Sequence, residues 1–532
     1  MTLRDSQRLI HKELERAASE VPDLEWLCFL DYGTKTLEEL WTEVRGFAAS
    51  LQELGIEKGD RIALMVGNRP EFVTAWFATQ LVGAISVPLN TAFRGNVLTH
   101  MLELVEPKVA ICEAASWGRI DDAWNSPEPL SKGIVLSDES GAKPGGARRI
   151  DRFVDFDDLM VDGSPDVPEM QPWDSASVMY TSGTTGPSKG VIWTHNFTMH
   201  VGEVCVESMR YTSDDALYTS LPLFHGNALN TSLIPALLAR APLVVGERFS
   251  ASRFWSEVSH SGATETNILG AMSAMLLKQP ESPDERTHNL RTALVIPAAP
   301  EIYEVFQKRF GITPIEAYGL SDAGLLLWTP PDEEPRPGSC GLPTRGFDCR
   351  LVNEDDEEVS RGDIGELVIR PSMPWITNVG YWGMPDATVR AWRNFWFHTG
   401  DLMRQDADGW FYFVDRAKDA IRRRGENVSS YEVEQALLLH DGVIECAAYG
   451  IVDELGEEEV AIAIVAGEDF SPDSVIDYLE PKLPYFAVPR YVRFVPELPK
   501  TETEKILKQS LKAEGVTTDT WDRVAAGRTL SR

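Results

Sequence analysis

Tyr180-Thr181-Ser182-Gly183-Thr184-Thr185-Gly186-Pro187-Ser188-Lys189-Gly190 is the stretch on which the reading of this 532-residue chain turns. An apolar segment ending Val178-Met179-Tyr180 precedes it and Val191-Ile192-Trp193 follows, so the run reads as a loop between two strands. Its glycines let backbone approach a ligand without Cβ interference. Hydroxyls, free backbone N–H groups and the Lys189 ammonium supply donors and positive charge, a combination that suits a polyphosphate. The P-loop pattern is excluded, because Ser188 precedes the lysine and Gly190 follows it. Flexible linkers share this composition, but eleven residues in this order are far more specific than a Gly/Ser tract.

Around the loop, the chain alternates strand and helix. Residues 37–54 carry Leu, Val, Phe and Ala at helical spacing. Residues 61–66 read as a buried strand, about 71–82 as a helix and 83–88 as the next strand. Strand, helix, strand at this spacing predicts a right-handed parallel unit and an α/β class. Length predicts about three or four folding units. Residues 138–150 read as a surface loop.

The formal net charge is −32. It argues against nucleic acid or an anionic membrane as partner, and requires any anion site to build its own local positive potential. Six scattered cysteines show no metal spacing and predict reduced thiols. The N-terminus does not read as a signal peptide and no stretch is long enough to span a bilayer, so the expected location is cytoplasmic.

The glycine- and hydroxyl-rich run resembles the phosphate loop of the adenylate-forming superfamily of acyl- and aryl-CoA ligases, luciferases and peptide-synthetase adenylation domains. Further motifs stand in family order. Leu221-Pro222-Leu223-Phe224-His225-Gly226 resembles the segment whose His lies between acyl pocket and phosphates. Ile296-Pro297-Ala298-Ala299-Pro300 replaces the usual Ser-Gly-Gly-Ala-Pro turn, stiffening and filling the wall against adenine. Tyr318-Gly319-Leu320-Ser321-Asp322 stands for Tyr-Gly-x-Thr-Glu. The resemblance implies adenine stacking by Tyr318, an α-phosphate contact by Ser321 and Mg²⁺ binding by Asp322, through water because the acid is one methylene shorter. Gly365–Arg370 matches a scaffold strand, and Gly380-Tyr381-Trp382 follows without an assigned role.

Asp401, in Phe397-His398-Thr399-Gly400-Asp401, resembles the acid that accepts hydrogen bonds from both ribose hydroxyls. Arg416 matches a ribose- and phosphate-contacting arginine and Lys418 the hinge. Arg422, in a locally basic run, and Gly425 match the CoA passage. Lys505, in Pro499–Ile506, matches the lysine that enters the site during adenylation.

The resemblance therefore implies a large N-terminal α/β domain with subdomains over 1–417. A small mobile α+β domain over 418–532 would follow, with its hinge at 418. The implied activity is ATP-dependent ligation of a carboxylic acid to coenzyme A through an acyl-adenylate. Lys505, His225 and Thr181 are the implied catalytic residues. Ser182, Gly183, Thr184, Thr185, Gly186, Lys189, Ala298, Ala299, Tyr318, Gly319, Ser321, Asp401, Arg416, Arg422 and Gly425 are the implied binding residues, and Asp322 the metal ligand. Mg²⁺ is the implied cofactor and ATP and CoA the co-substrates. Nucleic acid and a membrane span are not expected, and a homodimer stays open. Several scaffold and hinge segments look most like the carnitine/crotonobetaine-CoA ligase branch, which does not name the acid. A carrier-protein adenylation domain and a luciferase-like oxygenase remain alternatives. A non-catalytic binding protein would be expected to have lost Lys505 or Asp401.

Overall fold

The computed structural model describes residues 8–124, 132–136, 153–181, 188–296, 300–423, 426–452, 458–467, 470–501 and 505–530. The surface-loop expectation for 138–150 falls outside these residues.

The predicted parallel unit is present. Strand Arg61–Met65 pairs in parallel with Ile85–Pro88, and helix Pro70–Leu81 connects them. Every residue of that helix except Glu71 is buried. A helix apolar on all sides must be covered on all sides, and this one lies within the main core together with the flanking helices. Pro70 opens it at a position where a missing N–H costs nothing. The strand begins at Ile85 rather than at 83, because Gly83 N–H still donates to the Gln80 carbonyl and completes the helix's last turn. The helix predicted over 37–54 runs Leu37–Glu53 and starts at a capping box. Thr36 Oγ accepts from Glu39 N–H (3.2 Å), and the Glu39 carboxylate accepts from Thr36 N–H (2.8 Å).

Two seven-stranded sheets carry most of the chain. In the first, Phe153–Asp155, Lys132–Leu136, Val109–Glu113, Arg61–Met65, Ile85–Pro88 and Ser175–Tyr180 run parallel, and Gly190–Thr194 closes the edge antiparallel. In the second, Thr313–Ile315, Thr292–Ile296, Glu265–Leu269, Leu217–Thr219, Leu243–Val245 and Glu25–Phe29 run parallel, with Gly33–Thr36 antiparallel at the edge. Then come a three-stranded sheet, Ala317–Leu320, Gly324–Trp328 and Leu342–Pro343, and a four-stranded antiparallel one, Phe347–Val352, Ile364–Pro371, Phe397–Gln405 and Phe411–Arg416.

From residue 421 onward, the described strands pair only among themselves. They form a hairpin (Ile421–Arg423 with Glu426–Val428) and a four-stranded sheet (Val443–Val452, Glu458–Ala466, Tyr491–Phe494, Thr520–Asp522) with cores of its own. All six cysteines are free.

Candidate active site

In open parallel sheets ligands bind beyond the carboxyl ends of the strands. Here those ends release the His225 segment after Leu217–Thr219, the Gly270–Leu277 helix after Glu265–Leu269, and the Tyr318 segment after Thr313–Ile315. The hairpin of Ser175–Tyr180 and Gly190–Thr194 flanks the glycine- and hydroxyl-rich run, and Trp193 on it packs against Gly226 in the same region. Thr181 N–H donates to the Lys189 carbonyl (3.0 Å), closing its base. His100 Nε2 lies 3.1 Å from the Ser188 carbonyl, so that nitrogen must be the donor. Ser182, Gly183, Thr184, Thr185 and Gly186 lie outside the described residues, as do Ala298, Ala299, Gly425 and the side chain of Arg422.

Three residues tie the site's segments together without having been assigned a role in the sequence. Trp193 Nε1 donates to the Ser321 carbonyl (2.7 Å). A Cβ on Gly226 would come 2.5 Å from the Trp193 ring, so the residue after His225 must be glycine for the two to pack. Tyr381 links Lys189 to Asp322: the Lys189 ammonium lies 4.3 Å from its ring centre, and its hydroxyl donates to Asp322 Oδ1 (2.5 Å). Asn378 Nδ2 donates to the Asp322 carbonyl. Only Tyr381 left a signal, as the middle of Gly380-Tyr381-Trp382; Trp193 read as a strand residue and Asn378 as nothing.

Asp401 is buried and partnered on two sides. It is 4 % exposed, accepts from the Tyr318 hydroxyl at Oδ2 (2.5 Å), and faces Arg416 Nε at 3.4 Å. Burial raises its pKa, and Arg416, the Tyr318 hydroxyl, Lys505 and Lys418 oppose that rise. Its turn is braced by Glu366, in the strand read as scaffold: the Glu366 carboxylate accepts from Gly400 N–H (3.0 Å) and meets His398 Nδ1 (2.9 Å). Gly400 has a φ of +74°, which a side chain would resist. Tyr318 itself is buried, with its ring stacked on Phe413 at 6.5 Å.

Lys505 comes to this site from the small unit. Its loop closes on itself through Thr501 N–H to the Lys505 carbonyl (2.7 Å) and Lys505 N–H to Thr501 Oγ1 (3.1 Å). The residue is open to solvent, yet its ammonium is crowded by protein. Desolvation, then Arg416 and Lys418, outweigh Asp401 and Asp322 and lower its pKa to about 8. His225 lies within electrostatic reach of Lys505. Burial first, then that ammonium, lowers its pKa to about 4, so it is neutral near pH 7. Lys418 feels Arg416, Asp401 and Lys189 in turn. Three cations, Arg416, Lys505 and Lys418, thus converge on Asp401 in a chain of net charge −32, the local positive potential an anion would require.

Asp322 is half-buried, and Tyr381 takes one of its oxygens, leaving Oδ2 without a protein partner among the described residues. No cluster of three His, Cys, Asp or Glu side chains able to hold a metal occurs among them. One free carboxylate oxygen fits Mg²⁺, which keeps most of its waters and takes phosphate oxygens, better than a metal needing a protein cage. At the end of Glu265–Leu269 and in the helix after it, Leu269 and Met275 are exposed apolar side chains. Asn267, buried in the same strand as Leu269, donates from Nδ2 to Thr231 Oγ1 (2.7 Å) and Ser232 Oγ (2.8 Å). No helix among the described residues is long and apolar enough to cross a membrane.

Residues 14–382 match the family described as AMP-binding enzyme, and residues 432–505 match its C-terminal domain. The chain is 30% identical over 477 residues to a crotonobetaine/carnitine–CoA ligase of Salmonella paratyphi B, covering 88% of this chain and 91% of that one. Among solved structures, an anthranilate–CoA ligase in complex with anthranoyl-AMP superposes with a TM-score of 0.85 at 23% identity, covering 97% of this chain and 98% of the other. An o-succinylbenzoate–CoA synthetase of Bacillus subtilis, in complex with ATP and magnesium ion, superposes at 0.79 and 24% identity, covering 94% and 99%. With this fold over nearly its whole length and the family pattern over residues 14–382, the chain is a member of the AMP-binding enzyme family.

Proposed function

We propose that the protein ligates a carboxylic acid to coenzyme A in two steps through an acyl-adenylate. The observation that carries this reading is the arrival of Lys505, from the small unit, beside Asp401, Asp322 and His225 of the large one. In the first step a carboxylate oxygen attacks the α-phosphorus of ATP and pyrophosphate leaves. Asp401 holds the ribose, and Lys189 the outer phosphates. Lys505, Ser321 and the Thr181 hydroxyl face the charge that develops on the α-phosphate, where preorganised donors act most strongly. Mg²⁺ at Asp322 would offset phosphate charge. In the second step CoA thiolate attacks the acyl carbon and AMP leaves. His225, uncharged and next to Lys505, lies between acid and phosphates.

Lys505 serves the first step and the Arg422–Gly425 segment the second. A domain boundary at 418, with Lys418 as hinge, lets one crevice host both in turn. The chain's relatives support a CoA acceptor over a carrier protein or oxygen. Crotonobetaine and carnitine, the acids of the relative that is 30% identical, are the first to try.

The test is pyrophosphate release from MgATP with crotonobetaine, L-carnitine, anthranilate, o-succinylbenzoate, a medium-chain fatty acid and a bile acid, each with and without CoA. Release that depends on acid, with acyl-CoA formed when CoA is present, supports the reading. AMP-forming turnover that ignores CoA would contradict it.

A further inference from the structure

The strand Phe411–Arg416 belongs to the large unit's last sheet, and its final residues meet the helix Ser430–Leu438 of the small unit. Ser429 Oγ donates to the Val414 carbonyl (2.6 Å) while accepting from Glu432 N–H (3.0 Å), so the helix cap is itself anchored to the strand. Asp415, 3 % exposed, accepts three hydrogen bonds: from Ser430 N–H (2.6 Å), from Ser430 Oγ (3.1 Å) and from Arg416 N–H (2.7 Å). The Ser430 hydroxyl in turn accepts from Lys508 Nζ (2.7 Å). Lys508 pairs with Glu434 (2.7 Å), which also accepts from Ala448 N–H (2.8 Å) in the small unit's edge strand Val443–Val452. An unbroken chain of bonds therefore runs from that strand through Glu434, Lys508 and Ser430 to Asp415, and Lys508 stands three residues after Lys505. Tyr431 packs edge-on against Phe413 (5.3 Å) beside it, and Lys278 of the large unit donates to the Val443 carbonyl at a second point.

We infer that Asp415 and Lys508 are positioning residues: together they clamp the small unit in the orientation that puts Lys505 in the crevice, and the clamp must open before CoA can react. The inference rests on the two-step reading above. The clamp bridges residues 416–429: Asp415 and Ser430, which flank that stretch, are fastened to each other. Any rotation at 418 that withdraws Lys505 has to part them. A buried carboxylate whose donors leave, or donors whose carboxylate is neutralised, is poorly tolerated, so the clamp makes the orientation two-state rather than loose.

The test uses full-length protein with Asp415→Asn and, as a milder change that keeps the Ser430 N–H bond, Ser430→Ala. Amide exchange is followed over the first turn of the 430–438 helix and over 505–508, with the strand 458–466 as internal reference. Pyrophosphate release is measured with MgATP and the most active acid of the panel above, and acyl-CoA formation with that acid's supplied adenylate. The expected result is exchange at least tenfold faster at both places with the reference strand unchanged. Pyrophosphate release falls about tenfold in Asp415→Asn and less in Ser430→Ala, while thioester formation holds or rises. Unchanged exchange at 505–508, or half-reactions that fall together, would overturn the clamp. A wild-type protein that releases no pyrophosphate would instead contradict the two-step reading, and the exchange data would still decide the clamp.

Discussion

Asp401 and Lys505 meet in one crevice, but they are held in opposite ways. Asp401 is buried, bonded to Tyr318 and faced by Arg416, on a turn braced by Glu366 and Gly400. Lys505 sits at the open end of a loop bonded chiefly to itself, and it belongs to a unit whose described strands pair only among themselves. The first is built in; the second is delivered. A site with one fixed half and one movable half can bind a nucleotide tightly while exchanging the group that acts on it. Electrostatics reflects the same division: burial acts on both, but Arg416, the Tyr318 hydroxyl, Lys505 and Lys418 temper the rise at Asp401, whereas crowding and like charge lower the Lys505 pKa to about 8.

The largest effect expected from this contrast comes from removing the delivered group. Lys505→Ala is expected to slow pyrophosphate release on the order of 10²–10³-fold, the cost of losing one preorganised charge contact, and to leave thioester formation from supplied acyl-adenylate nearly intact. Loss of both half-reactions would mean that Lys505 is not confined to the first.

A smaller effect should appear in the pH profile. The Lys505 ammonium is present below about pH 8 and lost as pH rises through it. The kcat/KM for ATP in the pyrophosphate assay, which reports the free enzyme, should therefore fall roughly tenfold per pH unit on the alkaline side. Lys505→Arg, charged throughout, should flatten that limb whatever it does to the absolute rate. A limb that persists in Lys505→Arg belongs to another group.

The smallest change tests the fixed half. Tyr381→Phe removes one hydroxyl bond to Asp322 while keeping the ring under Lys189. A neutral–charged hydrogen bond of this kind contributes about 1.5–3 kcal/mol at most, part of which solvent will replace. The Mg²⁺ concentration for half-maximal rate should rise a few-fold, with stability little changed. An unaltered Mg²⁺ titration would detach Asp322 from the metal.

These two halves were not equally legible in the sequence. Asp401, Asp322, His225 and Lys505 could be picked out because each stands in a motif of fixed order, and the parallel unit at 61–88 followed from apolar runs alone. The braces could not. Glu366 lies in a strand whose pattern reads as core, Trp193 acts through an indole N–H that periodicity does not distinguish from packing, and Asn378 bonds a carbonyl 56 positions away. Asp415 and Lys508 are further examples: a V-D-R run and a surface-looking lysine become partners only once helix 430–438 has docked. Motifs record which groups face a ligand, whereas what holds those groups is written in contacts between distant segments.

The central claim, that an acid is activated as its adenylate, is tested most directly by the fate of oxygen. With ¹⁸O in both carboxylate oxygens of the acid most active in the pyrophosphate panel, and with CoA present, attack on the α-phosphorus leaves one carboxylate oxygen on that phosphorus. The account predicts AMP carrying a single ¹⁸O and pyrophosphate carrying none. Unlabelled AMP, or label in inorganic phosphate with ADP as co-product, would contradict it.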